Sequence, residues 1–260
     1  MRIILSYPKS GRTWVRFMID SYLCRMHRLQ VKNVFEAEKH ADQPCRIEWT
    51  HLTAAMVLKR PYWQMGPWEV GQAARLPWLL LVRNFYSTMA SAYFQARDRI
   101  GVFQGPPDAF LRSTRYGVIK LVTFYNLWDE LKPRLERPQM FSYEALVADT
   151  RRVLEQILRS LELSVVAEWV DRVVAEATFG HMKRLSVTPA YAGTVLAPTD
   201  PATYKVRQGR GLGYRQLFCE EDLAYIDNVV DAMLIRADSP EYRACRGAPP
   251  LRTQKGAAAA

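Results

Sequence analysis

The sequence predicts a single α/β domain in which a parallel β-sheet is flanked by helices. Three observations predict it. Short apolar runs that read as buried strands alternate with stretches of helical periodicity along most of the chain. The first unit, opening at Ile3, is a strand, a tight turn and a helix, the beginning of a βαβ unit. The 260 residues are 49% hydrophobic and 24% charged, enough for one sizeable core and unlike a disordered chain.

The elements follow in order. Ile3–Ser6 reads as a short buried strand, and a turn with Pro8 and Gly11 follows it. Thr13–His27 reads as a helix, because Trp14, Phe17, Met18, Tyr22 and Leu23 share one broad apolar face. Arg46–Thr50 is a second strand candidate. The unbroken apolar run Trp78–Val82 is a buried strand, with a helix over Phe85–Arg97 after it. Tyr116–Leu131 reads as an amphipathic helix ended by Pro133, Gln139–Ser142 as a short strand, and Thr150–Leu161 and Val165–Ala175 as two helices. Glu220–Ile235 is the last strong helix, opened by acidic residues that suit a helix N-terminus. Gly101–Ser113 and Ser186–Tyr204, each rich in proline, read as long loops of the kind that form lids or binding walls. No internal repeat is visible. The domain is expected to occupy residues 1–245, with 246–260 as a flexible tail.

Charge narrows the partners. Thirty-six Lys and Arg face 26 Asp and Glu, a net charge of +10 that favours an anionic partner. A nucleic-acid-binding protein should concentrate those cations on one patch, but here they are scattered, with one dense run at Arg207–Arg210. No apolar run approaches the length of a membrane span, and the first residues do not form a signal peptide, so a cytoplasmic location is expected. The four cysteines form no CxxC pair and read as free thiols; His27, His40, His51 and His181 form no HExxH pattern, and no metal site is expected.

The most informative stretch is Tyr7-Pro8-Lys9-Ser10-Gly11-Arg12-Thr13-Trp14, which places Lys, Ser, Gly and Thr between a strand end and a helix start. Free N–H groups at a helix N-terminus, with a lysine beside them, make an oxyanion cradle. The loop is not a Walker A sequence, since its lysine precedes the glycine. It is consistent with a P-loop-type nucleotide-binding core.

The string YPKSGxTW resembles the signature of the sulfotransferases that use 3′-phosphoadenosine 5′-phosphosulfate (PAPS), where it binds the 5′-phosphosulfate. Further matches follow in order. Arg83-Asn84, with Ser91 eight residues after the arginine, resembles RNPxDxxxSxY, whose Arg and Ser bind the 3′-phosphate; Phe85 replaces the proline and Ser87 the acid. Arg207, Gly209, Arg215 and Phe218 match RKGxxGDWKxxF, a loop that closes over the 3′-phosphate; Gln208 replaces its lysine and Tyr214 its Trp. Phe141–Glu144 resembles a strand-end YED, whose tyrosine lies by the adenine. Ala177–Lys183 resembles TSFxxMK, whose aromatic, here Phe179, packs on the base; Trp14 would form another wall. The resemblance implies PAPS as sulfuryl donor, 3′-phosphoadenosine 5′-phosphate (PAP) as product, no metal, and a small-molecule, glycan or lipid acceptor sulfated on a hydroxyl or amine.

For the chemistry, the resemblance implies that Lys9 follows the bridging oxygen as its charge grows, while Thr13 and the loop amides hold the 5′-phosphate. Trp49-Thr50-His51-Leu52 resembles KTHLP, whose histidine is the general base, with Trp49 standing where that family has lysine. Glu48 is the alternative base; strand alternation lets only one of the two face inward if the strand includes both. Acceptor walls are expected from residues 36–49, 61–68, 101–114 and 188–204. Three other readings stay open at this point: a P-loop-type nucleotide or sugar kinase, a nucleic-acid-binding protein, and a PAP-binding protein without transfer activity.

Overall fold

A computed structural model describes residues 1–40, 46–67, 75–197, 213–236 and 239–246. Four strands, β1 (Arg2–Ser6), β2 (Ile47–Thr50), β3 (Pro77–Val82) and β4 (Glu136–Ser142), form one sheet of order β2-β1-β3-β4. Every neighbouring pair is parallel. The helices are α1 (Arg12–Met26), α2 (Ala37–His40), α3 (Phe85–Phe94), α4 (Pro107–Arg112), α5 (Val118–Leu131), α6 (Tyr143–Ala148), α7 (Thr150–Ser160), α8 (Ala167–Glu176), α9 (Phe179–Ser186), α10 (Glu220–Met233) and α11 (Pro240–Arg246).

Strand alternation divides the core. Ile3, Leu5, Trp78, Leu80 and Val82 pack with residues of α3, α5, α10 and α11 on one face of the sheet. Ile4, Ile47, Leu79 and Leu81 pack with α1, α7 and α8 on the other. Burial on both faces explains why β1 and β3 read as continuous apolar runs. The chain leaves β1 for β2 on one side and later enters β3 on the other, so a crevice opens at the carboxyl ends of β1 and β3.

The expected strands and long helices are present, with shifted boundaries. The helix expected over Phe85–Arg97 ends as an α-helix at Phe94 and continues as a π turn over Gln95–Arg99. The segment expected to be one loop, Gly101–Ser113, contains α4: Pro107 lies in its first turn, where its fixed φ is already helical, and Phe110 and Leu111 bury fully in the core. Of Ser186–Tyr204, residues 186–197 carry a 3₁₀ turn at Pro189–Tyr191 and bury Tyr191 and Leu196 against the α1 side; residues 198–204 lie outside the described residues. β4 begins three residues earlier than expected, because Pro138 is tolerated on an edge strand. Short α6, α9 and α11 escaped a reading based on long periodic segments. Of the expected tail, α11 runs to Arg246, and 247–260 lie outside the described residues.

Candidate active site

The crevice holds a cavity of about 970 Å³ whose lining joins residues far apart in sequence. The loop after β1 forms one wall. Lys9 (φ 78°) and Gly11 (φ 94°) both take left-handed backbone conformations, which turn the chain sharply enough for α1 to start at Arg12. Gly11 is required twice. A Cβ there would meet Tyr143 Cδ2 at 2.5 Å, and the backbone angle disfavours any side chain. The Trp14 and Val15 amides donate to the Gly11 carbonyl at 2.9 and 3.2 Å; the Arg12 and Thr13 amides before them have no acceptor within the helix by its geometry, and this end of α1 opens on the cavity beside Lys9, Gly11, Arg12, Thr13 and Trp14.

Arg83 stands just past β3. Its Nη1 donates to the Lys9 carbonyl at 2.9 Å, which ties the end of β3 to the loop of β1. Its guanidinium carbon lies 4.5 Å from the centre of the Tyr143 ring. Its Nε is buried with no hydrogen-bond partner among the described residues. Burial pushes the Arg83 pKa down, against weaker opposing effects of Tyr143, Glu144 and Tyr125. Arg12 is also pushed down, to about 10, by burial and then by the charge of Arg16. Two guanidiniums short of compensating negative charge therefore face one end of the cavity.

Aromatic groups close that end. Trp14 donates from Nε1 to the Ala177 carbonyl at 2.8 Å and meets Tyr143 edge-on at 5.7 Å. Phe179, capped into α9 by Thr178, lines the same wall with Val147 and Met182. Tyr143 is the first residue of α6, set by the Ser142 cap, where the sequence suggested only a strand end.

At the other end, His51 lies just beyond β2. Its Nδ1 is 2.6 Å from the Ser6 carbonyl oxygen at the end of β1. A carbonyl only accepts, so Nδ1 carries the proton and the neutral ring keeps its lone pair on Nε2. The Leu52 amide bonds Thr50 Oγ1 at 2.9 Å, and a 3₁₀ turn at Leu52–Ala54 follows. Glu48, one of the two candidate bases, is exposed on β2 and is absent from the described lining.

Of the residues singled out in the sequence, the cavity gathers Lys9, Gly11, Arg12, Thr13, Trp14, His51, Arg83, Ser91, Tyr143 and Phe179. Ser10 is not among them. Its side chain is buried beneath the loop, and its N–H bonds the Tyr7 carbonyl at 3.3 Å. Arg207, Gln208 and Gly209 lie outside the described residues, although Tyr214, Gln216 and Leu217, a few residues later, reach the wall. Tyr214 is held by stacking on Tyr86 at 5.0 Å. Of the expected acceptor walls, no described residue of 36–49, 61–68, 101–114 or 188–204 lines the cavity, and 41–45, 68 and 198–204 lie outside the described residues. Ala55–Val57, Ser87, Ala90, Phe94, Gln95, Arg99 and Ile100 contribute instead. Sequence reasoning missed them because 3₁₀ and π turns carry no long-range periodicity, though Ser87 and Gln95 do fall four residues either side of Ser91.

Comparison with known proteins agrees with this geometry. The family model of the sulfotransferase domain matches residues 2–238. Sulfotransferase 1B1 of Canis lupus familiaris is 25% identical over 205 residues, covering 70% of this chain and 65% of that protein. Sulfotransferase 1A1 of Bos taurus is 26% identical over 208 residues, covering 72% and 67%. The aligned part of the chain thus spans 65% of the length of the dog relative. Among solved structures, mouse sulfotransferase SULT7A1 complexed with PAP has a TM-score of 0.64 at 20% identity, over 91% of this chain and 85% of that one. Retinol dehydratase in complex with androsterone and inactive cofactor PAP has a TM-score of 0.59 at 15% identity, over 92% and 83%. Those two likenesses establish the fold, and the family model, spanning both ends of the cavity, establishes the kinship: the chain belongs to the sulfotransferase domain family.

Proposed function

We propose that this protein transfers the sulfuryl group of PAPS to a hydroxyl or amine of a small-molecule, glycan or lipid acceptor, releasing PAP and a sulfated product. The observation that carries the reading is Arg83. A buried guanidinium with an orphaned Nε, fixed at a strand end opposite a helix N-terminus, asks for a phosphate-like anion. PAPS supplies the activated sulfuryl group; the rest is the work of this chain's residues. Arg83 and Ser91 hold the 3′-phosphate; Arg207, Gln208 and Gly209, outside the described residues, are assigned to the same phosphate by the motif they resemble. Thr13, Arg12 and the amides around Gly11 hold the 5′-phosphate. Ser10 supports this loop from below. Trp14, Tyr143 and Phe179 sandwich the purine.

Lys9 places its ammonium where charge grows on the leaving oxygen, and its bond to Gln95 Oε1 (3.4 Å) is long enough to be exchanged for a stronger anionic partner. His51 takes the acceptor proton at Nε2, while the Ser6 carbonyl holds the ring and stabilises the imidazolium. Trp49, which replaces the lysine of the family motif, instead packs with the α1 side of the core and lies 5.9 Å from the Arg16 guanidinium. A cytoplasmic site of action belongs to the same proposal; the free thiols of Cys24, Cys219 and Cys245 suit a reducing compartment. Calorimetric titration with PAP, with ATP and magnesium as control, tests the proposal. Tight PAP and weak ATP binding support it; preference for ATP, or no nucleotide binding, overturns it.

A further inference from the structure

The cavity wall carries one cation more than the donor reading uses. Lys9, Arg12 and Arg83 line the phosphate end. Arg99 lines the wall farther along, after Gln95, and Gln95 is the residue that meets the Lys9 ammonium. Arg99 closes the π turn that begins at Gln95, and the donor reading, which sets Lys9 at the reacting centre, assigns that part of the wall to the acceptor side.

Its surroundings fix it without neutralising it. Nη2 donates to the Ala197 carbonyl at 2.8 Å. Nη1 is buried and has no partner among the described residues. No carboxylate occurs among the described lining residues, and Arg99 forms no ion pair within the described part of the chain. Burial alone pushes its pKa down.

The backbone delivers this arginine to the wall by an unusual route. Ser87, Ser91, Gln95 and Arg99 recur at intervals of four and all line the cavity. In an α-helix each four-residue step overshoots a full turn by about 40°, so the fourth member of such a row drifts round the helix. Here the α-helix ends at Phe94 and the last step, Gln95 to Arg99, is a π turn. Its wider i→i+5 winding takes back the drift and keeps Arg99 facing inward.

We infer that Arg99 recognises an oxyanion on the acceptor, so that the physiological acceptor carries a carboxylate, phosphate or sulfate in addition to the hydroxyl or amine that is modified. The inference rests on the donor reading, which assigns the other three cations to the nucleotide. An acceptor oxyanion supplies the missing partner of Nη1 and the missing negative charge of that end of the cavity.

The test is a paired-probe titration. A panel of hydroxyaryl and hydroxyalkyl carboxylates, each with its methyl ester, and a matching set of phosphonates with their dimethyl esters, is titrated into the protein with and without PAP. In the unaltered protein at least one acid should bind about tenfold more tightly than its ester. Arg99→Gln retains a donor for the Ala197 carbonyl and removes the charge, so that ratio should fall to about one. Arg99→Lys retains the charge and should preserve most of it. Thermal midpoints and PAP affinity of both variants report folding. Carboxylates and phosphonates compared with each other show which oxyanion the site prefers. A panel in which no acid exceeds its ester overturns the inference, as does an acid preference unchanged in Arg99→Gln, or equal weakening of acid and ester in that variant. Failure of the unaltered protein to bind PAP would remove the donor reading, while the ratios measured without PAP would still decide the role of Arg99.

Discussion

The two ends of the cavity are built by different physical means. The nucleotide end rests on the sheet. Its loop springs from β1, its arginine from β3 and its tyrosine from the end of β4, and these pieces are locked by the Arg83–Lys9 bond and the Gly11–Tyr143 contact. The acceptor end rests on 3₁₀ turns after β2 and on a π turn after α3, and one of its wall residues, Val57, is 63% exposed. A sheet-anchored site cannot change one residue without disturbing another strand. A wall of short turns can exchange side chains locally. On the proposed function, the acceptor wall can therefore vary while the donor frame stays fixed.

Five substitutions sharpen or break that contrast. The largest effect is expected from His51→Ala, which should lower turnover about 10²–10⁴-fold while leaving PAP affinity intact, since it belongs to the acceptor end. Glu48→Gln, on an exposed strand position, should leave turnover within about twofold, a surface effect; the reverse pattern in steady-state rates would transfer the base role. Arg83→Ala should weaken PAP roughly 10- to 100-fold by titration, with a much smaller effect on adenosine 5′-phosphosulfate, which lacks the 3′-phosphate. Equal losses for the two nucleotides would dissolve the division of labour within the nucleotide end.

Gly11→Ala comes next. The strained backbone and the 2.5 Å approach to Tyr143 should cost about 1–3 kcal/mol in denaturant unfolding and weaken PAP as well. Stability unchanged from the parent would mean that the loop is not locked to the sheet. A small, pH-dependent effect is expected at Glu144. Burial raises its carboxyl pKa above the ordinary 4.5, outweighing the Asn84 N–H and the Arg83 charge. The native state therefore holds this proton more tightly than the unfolded chain. That contribution is present below pH 4.5 and is lost as pH rises through the folded pKa. The thermal midpoint of Glu144→Gln relative to the parent should accordingly rise with pH above 4.5, by a few degrees at most; a flat difference would show that the carboxyl does not carry this cost.

The same contrast governs how much could be read from the chain. The nucleotide end was legible because its constraints are local: a left-handed glycine, a lysine and a helix start within seven residues, and an arginine at the end of an apolar strand. His51 was legible for the same reason, directly after β2. The acceptor walls were misplaced because a long proline-bearing segment reads as a loop, whereas Phe110 and Leu111 turn part of it into buried core. Nothing local in Gln95–Arg99 announces a π turn. Ser10 was assigned with its neighbours, yet the turn at Lys9 sends its side chain into the interior. β4 was half hidden by Pro138, whose missing N–H matters little on an edge.

The contact between Gly11 and Tyr143 also orders events in time. The two residues are far apart in sequence, as are Trp14 and Ala177 beside them, and β4, which delivers Tyr143, is the last strand of the sheet in chain order. A nascent chain that has completed β1, α1 and β3 holds most of the phosphate loop but neither the ring that backs it nor the edge strand that aims that ring. On the proposed function, the nucleotide site is completed only after the chain has passed α6, so the pieces that make it are joined late in chain order.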